Sequence, residues 1–450
     1  MFKMKTITLS LLALLLVMSF ASCASDTTSD LPLPSKDMKA YLQIKVTVEG
    51  SGDTRASRAG EGPKGGEEGD GKEKGLDHEN DVNSLTVLLY KSDKDDLSDD
   101  NAKIDYVYTF TGLTSLSSSS YTTGPREIDA AIVGKNYHVI VIANADDMTS
   151  SCKGQKIKDV RDLQMSKVCT RDADITKFSN FVMSSKKDAK IDFSGKSGSG
   201  TGTESDPYLV EVDIERLAAR IDIIPNATYN DTDKGYYYNV MDGANVVGGF
   251  KLESVTPTKV MTSGEYLIKR VSSDKTMPSV TYYGEELMDA TSKASTNYVV
   301  CPWTKDRTGL TLSNAEGPAS LYNVKKTTST STTDPSYILD YVMENTTTDN
   351  EEAYSTDLIF KGKYYEETEW DATKKQPTAG AKCTDKEYTY TLRHSDPSGS
   401  GTNAGPMHFG VVRNNIYQVK VEGVKGKSKG LTLTIHVRKW ATYTHEETTM

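Results

Sequence analysis

Between residues 39 and 48 every second position is apolar, with Ala40, Leu42, Ile44, Val46 and Val48 on one side and Lys39, Tyr41, Gln43, Lys45 and Thr47 on the other. Such a period of two predicts a β-strand with one buried face, because successive side chains of a strand point to opposite sides. The same alternation returns near the C-terminus. Tyr417, Val419 and Val421 alternate with Gln418, Lys420 and Glu422, a turn of Lys, Gly and Ser follows, and then Leu431, Leu433, Ile435 and Val437 alternate with Thr432, Thr434, His436 and Arg438. That pair reads as a hairpin. Further strands are expected over residues 85–90, 136–143, 209–214 and 217–224, the last with Leu217, Ala219, Ile221 and Ile223 on one face. Residues 156–168 are the best candidate for a helix. Many short strands and few helices predict an all-β chain of Greek-key sandwiches. Stretches rich in Ser, Thr and Gly at 195–206, 327–334 and 395–405 read as surface loops, and the first of them as a boundary between two sandwich domains.

The N-terminus has a different character. Lys3 and Lys5 precede an apolar run over residues 7–20 that ends in small residues and a cysteine, the plan of a secretory signal. The run is too short to span a bilayer as a helix, which needs about 20 apolar residues. Phe20, Ala21, Ser22 and Cys23 resemble a bacterial lipobox, whose cysteine is acylated and becomes the new N-terminus, although Phe20 stands where such boxes commonly carry Leu. Ordinary signal cleavage beside an incidental cysteine is the alternative. An acyl chain on Cys23 would tie the protein to outer-membrane lipid. Residues 24–37 are polar and punctuated by Pro, as in a flexible tether. After the first strand, residues 49–75 hold Arg55 and Arg58 among Gly, Glu and Lys, with almost nothing apolar. That composition predicts an exposed loop open to proteolysis.

Composition narrows the function classes. The net charge of −10 argues against nucleic acid, since phosphate binding requires concentrated Lys and Arg. Tyr (25) far exceeds Phe (9), which suits half-buried strands facing water. Apart from Cys23, the cysteines are Cys152, Cys169, Cys301 and Cys383, without CxxC spacing; one or two disulfides and four buried free thiols are both open. Gly60, Gly62 and Gly65 match a dinucleotide fingerprint in form only, because no helix pattern follows and carboxylates surround it. Residues 66–72 approach a phosphate loop, but Glu73 stands where Ser or Thr would hold magnesium. The six histidines lack a paired metal spacing, and the acidic residues 93–100 lack the Gly and terminal Glu of a calcium loop. No GxSxG or HExxH occurs. The expectation is a protein with no enzymatic activity, cofactor or metal.

Taken in order, several segments resemble the fimbrillin family, the pilus subunits exported as lipoproteins by Bacteroides-type bacteria and called type V pili. They are the box at Cys23, the first strand with Thr54, Arg55 and Ala56, and residues 79–85, 137–145, 181–184, 215–220, 341–346 and 408–417, closed by Trp440. The match looks most like the larger, major-subunit branch. The resemblance implies two transthyretin-like β-sandwich domains and a cut by an arginine-specific protease at Arg55 or Arg58. It divides the chain into a signal (1–22), a lipidated propeptide with the first strand (23–58), and sandwich domains at 59–205 and 206–450. The cut would release the strand carrying Ala40, Leu42, Ile44, Val46 and Val48, and a strand of another subunit would fill the groove. Partners implied are other copies of the chain, accessory fimbrial subunits, the protease, and ligands on host or bacterial surfaces. The donor should be an apolar-alternating C-terminal strand. Here the tail beyond Trp440 offers only Tyr443 and Met450 for deep pockets, which leaves residues 431–437 as a second candidate. A competing reading is a surface glycan-binding lipoprotein that uses Trp303, Trp370 and Tyr236 to Tyr238 as stacking platforms.

Overall fold

The computed structural model describes residues 39–48, 68–92, 101–171, 178–193, 200–227, 229–230, 235–261, 263–267, 298–299, 310–311, 323–324, 336–345, 356–394, 410–426 and 430–441. The chain enters as β1 (Ala40–Val48) and β2 (Glu68–Lys74). Next come β3 (Ser84–Tyr90), β4 (Ile104–Thr111), β5 (Thr114–Ser117), β6 (Ser120–Thr122), β7 (Arg126–Ile128) and β8 (Asn136–Ala143). Two short helices, α1 (Thr149–Cys152) and α2 (Ile157–Arg161), precede β9 (Met183–Ser185), β10 (Ala189–Asp192) and β11 (Tyr208–Arg216). Only Leu217 separates β11 from β12 (Ala218–Ile224). The remaining long strands are β13 (Gly235–Asp242), β14 (Asn245–Thr258), β15 (Ser336–Met343), β16 (Asp357–Glu366), β17 (Thr384–Thr391), β18 (Asn415–Lys425) and β19 (Leu431–Ala441).

The chain is all-β, as the alternation predicts, with its long strands in two sheets. The first runs β4-β3-β8-β9-β11-β1-β6-β5, with β7 also on β1 and β10 also on β8. The second runs β15-β12-β18-β13-β14-β16-β17, with β19 on β18 and β2 on β19. Each half contains a parallel pair of strands distant in sequence, β1 beside β11 and β12 beside β18. Alternation fixes a buried face but not strand direction, and a parallel neighbour needs a long crossover, so these two pairs are beyond sequence reading.

Burial follows side-chain type. β3 and β8 are buried on both faces: Leu85, Val87, Leu89, Val139 and Val141 enter the first core, while Leu88, Tyr90, Ile140 and Ile142 are covered by Met148, Cys152, Ile157 and Val160 around the two helices. The helix expected over 156–168 is only α2. Ile157 and Val160 pack in that small cluster, but Met165 and Val168 belong to the first core, and Gln164 and Met165 pair as a strand with Glu265 and Gly264. One continuous helix could not serve both packings.

Two further expectations are corrected. Residues 68–74, expected within the exposed loop, form β2. The boundary at 195–206 also fails to separate the sheets, because β11 lies beyond it in sequence yet pairs with β1 and β9 in the first sheet. The crossing is at Leu217, whose amide donates to Val182 O at 2.9 Å. The two halves share packing: along β15, Tyr337, Leu339 and Val342 enter the second core, whereas Ile338, Tyr341 and Met343 enter the first.

Candidate assembly site

Leu42, Ile44 and Val46 are 0% exposed and Val48 1%, the apolar row that the sequence places on one face of β1. β1 is an interior strand. On one side Leu42 to Val48 pair in register with Tyr208 to Ile214 of β11. On the other, Ala40 to Leu42 pair with β7 and Lys45 to Thr47 with β6. At the gap between β6 and β7, Thr123 substitutes for a strand partner. Its hydroxyl accepts from Ile44 N at 3.0 Å and its amide donates to Ile44 O at 2.9 Å. Gln43 Nε2 donates to Thr122 Oγ1 at 3.1 Å and to Thr123 O at 2.9 Å.

The ends of β1 are also tied. Tyr41 N donates to Gly202 O and Val48 N to Ser119 O, at 2.9 and 2.8 Å. Gly202 has φ +82°, and a Cβ there would lie 2.4 Å from the Tyr208 ring, so glycine is required where this loop approaches β11. The exposed pairs Lys39–Glu127 and Lys45–Glu211, at 2.8 and 2.7 Å, add little in water. Burying Leu42, Ile44, Val46 and Val48 contributes about 6–12 kcal/mol, at about 1.5–3 kcal/mol for each large side chain. Without β1, the first sheet would have an open apolar groove between β11 and the β6–β7 segment.

A buried polar seam lies where β11 passes into β12. Arg220 makes a fork to Asp222, with Nε to Oδ1 at 2.9 Å and Nη2 to Oδ2 at 2.7 Å, and reaches Glu79 Oε1 from Nη1 at 3.1 Å. The Tyr341 hydroxyl also donates to Glu79. Arg216 Nε donates to Glu79 O at 3.0 Å and Nη1 to Asn414 Oδ1 at 3.1 Å, and Nη2 donates to Asn80 Oδ1. Arg171 bridges to Asp340 Oδ1 at 2.6 Å and to Tyr341 O at 2.7 Å. Arg413 joins Glu344 at 3.0 Å.

Electrostatics within this seam are unequal. Burial works against the Arg220 charge, but the carboxylates of Asp222 and Glu79 outweigh it and hold its pKa well above the ordinary arginine value. Burial pushes Arg216 down to about 10, so it stays charged at neutral pH. Burial, reinforced by Glu79, raises the Tyr341 hydroxyl far above its ordinary range. Arg216 and Arg220 therefore stay charged and Tyr341 stays neutral at neutral pH, which suits a structural joint.

These contacts explain several of the sequence segments named above. Residues 79–85, 181–184, 215–220, 341–345 and 410–415 meet here. Asn144 adopts φ +57° and ties them further: its Oδ1 accepts from Asn83 N at 2.8 Å, and its Nδ2 donates to Asp81 O and Phe181 O at 2.7 and 2.9 Å. Asp222, Arg171 and Asp340 were not singled out in the sequence. Arg220 and Asp222 inside the otherwise apolar stretch 217–224, with Arg216 just before it, were the available signal, since buried charges demand partners.

Of the other site residues, Trp440 lies on β19, while Cys23, Arg55, Arg58, Tyr443 and Met450 lie outside the described residues. Among the described residues no group of three or more His, Cys, Asp and Glu side chains could hold a metal, and no helix is long and apolar enough to cross a membrane. Cys152 and Cys169 are buried free thiols and Cys383 an exposed one; Cys301 lies outside the described residues. The aromatic residues considered as sugar platforms are core residues: Trp370 packs on Tyr237 and Tyr365, and Tyr236 and Tyr238 belong to the second core. Trp303 lies outside the described residues.

Residues 40–216 match the protein family described as major fimbrial subunit protein (FimA). The match begins with the first residue of β1 and ends with the last of β11, so it spans the first sheet and its groove. Over that segment, less than half of the chain, the sequence is similar to the fimbrial subunit family that its own motifs resemble. A candidate cell adhesion protein from Parabacteroides distasonis is 16% identical, with 90% of this chain and 99% of that one covered and a TM-score of 0.47. A fimbrilin from Porphyromonas gingivalis is 15% identical, with 90% and 99% covered and a TM-score of 0.39. The tip fimbrial protein Mfa3 of the same species is 11% identical, with 90% and 100% covered and a TM-score of 0.39. No curated protein matches the sequence.

Proposed function

We propose that this protein is a structural subunit of cell-surface fimbriae, exported as a lipoprotein precursor acylated at Cys23 and held at the outer membrane until an arginine-specific protease cuts after Arg55 or Arg58. The cut separates β1 from the fold, and a strand of another subunit takes its place in the groove. The observation that carries this reading is β1 itself. It is an N-terminal strand with its apolar face fully buried, yet only the segment 49–67, which contains both arginines, joins it to the rest of the chain.

Leaving the groove empty would expose its apolar floor and a row of unpaired backbone groups, each costing about 1–3 kcal/mol if buried unsatisfied. A released groove therefore binds a replacement strand, and polymer growth follows from subunit to subunit. In this reading the chain comprises two β-sandwich domains that meet at Leu217, joined by the buried seam. The test is the N-terminal sequence of protein taken from surface fibres. A start at Ala56 or Ala59 agrees with the proposal, whereas fibres that still carry residues 39–48 covalently attached refute it.

A further inference from the structure

β2 lies parallel to the C-terminal end of β19, pairing Glu68 with Val437, Lys72 with Lys439, Glu73 with Trp440 and Lys74 with Ala441. On its other edge β19 pairs with β18, so among the described residues β2 alone completes the sheet there. The sequence of β2 is unsuited to that place. Glu-Gly-Asp-Gly-Lys-Glu-Lys has no β-branched, aromatic or other apolar residue, and two glycines weaken a strand interior. Its pairing is irregular as well, because the step from Glu68 to Lys72 is matched only by the step from Val437 to Lys439. Parallel pairing is also slightly weaker per residue than antiparallel. β19, by contrast, is a strongly alternating strand, and its paired end leads directly into the tail that follows Trp440.

The position of β2 in the chain supplies a release mechanism. Upstream, residues 49–67 connect it to β1, which is anchored in the first sheet; downstream it is held by Glu79 and β3. While both anchors hold, β2 is part of a closed loop and its pairing carries a small entropy cost. A cut at Arg55 or Arg58 removes the upstream anchor and makes β2 a chain end, where poorly pairing segments fray.

We propose that β2 is a removable cover that keeps the end of β19 in its own sheet, and that the strand end it frees is taken up by a second copy of this chain. The proposal rests on the strand-replacement reading above and adds its timing: one cut both empties the groove and loosens the tail. The first test uses full-length, uncut protein. In a Gly69→Pro/Gly71→Pro variant, those backbone amides of residues 437–441 that point toward β2 should exchange hydrogen about tenfold faster than in the wild type, with those that point toward β18 and those of β11 opposite β1 unchanged. Equal exchange at 437–441 overturns the cover. The second test strengthens it. Gly69→Val/Gly71→Val should be cut and lose β1 as the wild type does, yet polymerise about tenfold more slowly, as expected if a better strand former holds the edge. Growth at the wild-type rate overturns the proposal. A wild-type chain that is cut but never polymerises refutes strand replacement instead, and the exchange result still decides whether β2 covers β19.

Discussion

Ile44 sits at the middle of β1, fully buried, with its amide and carbonyl both held by Thr123. Truncating it to Ala removes buried carbon where β11, β6 and β7 cannot close around the space without breaking their pairing with β1. The loss should fall in the range for buried Ile→Ala, about 2–5 kcal/mol. At 1.4 kcal/mol per factor of ten, that multiplies the equilibrium for opening β1 by about 30-fold to several thousandfold. Lys45→Gln is the control, since it removes an exposed ion pair worth about 0–1 kcal/mol from the same strand. Urea unfolding of the uncut chain should shift its midpoint for Ile44→Ala with little change in slope, and hydrogen exchange should quicken along β11 and β6 before β3 and β8. Ile44→Ala behaving like Lys45→Gln in both assays would falsify the claim that the apolar face of β1 holds the first sheet together. In processed fibres, which lack β1 in the proposed pathway, the same substitution should leave stability unchanged.

Other sites give independent checks. Arg220→Ala leaves Asp222 and Glu79 without their fork in a dry seam and should cost about 3–5 kcal/mol, read as a lowered denaturation midpoint. Lys420→Ala on an exposed part of β18, where the partner Glu422 is solvated, should cost less than about 1 kcal/mol by the same measurement. Gly249→Ala would put a Cβ 2.0 Å from the Trp370 ring and displace the indole from its 2.8 Å bond to Asn239, with an expected loss of about 1–3 kcal/mol in urea unfolding. A thiol reagent should modify Cys383 in the native chain but leave Cys152 and Cys169 unmodified until unfolding, since burial pushes those thiols up to about 11 and about 12. Mass mapping of the labelled peptides checks it, and native labelling of Cys169 would contradict its place in the first core.

By itself the sequence determined several of the long strands and the buried face of β1. The alternations at Ala40 to Val48 and at Leu431 to Val437 are local, and a period of two has one structural meaning wherever a core is available. It also pointed to the segments that form the seam, because they resemble family segments, without giving their roles. Tertiary structure decided what no local pattern encodes. Strand direction, and so the parallel pairs β1–β11 and β12–β18, depends on crossovers distant in sequence. The expected boundary was misplaced because a Gly- and Ser-rich loop precedes β11, whereas the real crossing occurs at Leu217 inside an apolar run. β2 was unreadable for the opposite reason: Glu-Gly-Asp-Gly-Lys-Glu-Lys has no strand propensity, and only the open edge of β19 draws it into a sheet. The charges of Arg216 and Arg220 were visible from the start, but their partners Glu79 and Asn80, on a 3-10 turn, and Asn414 lie more than a hundred residues away in the chain, and a buried charge takes its meaning from the groups that fold against it.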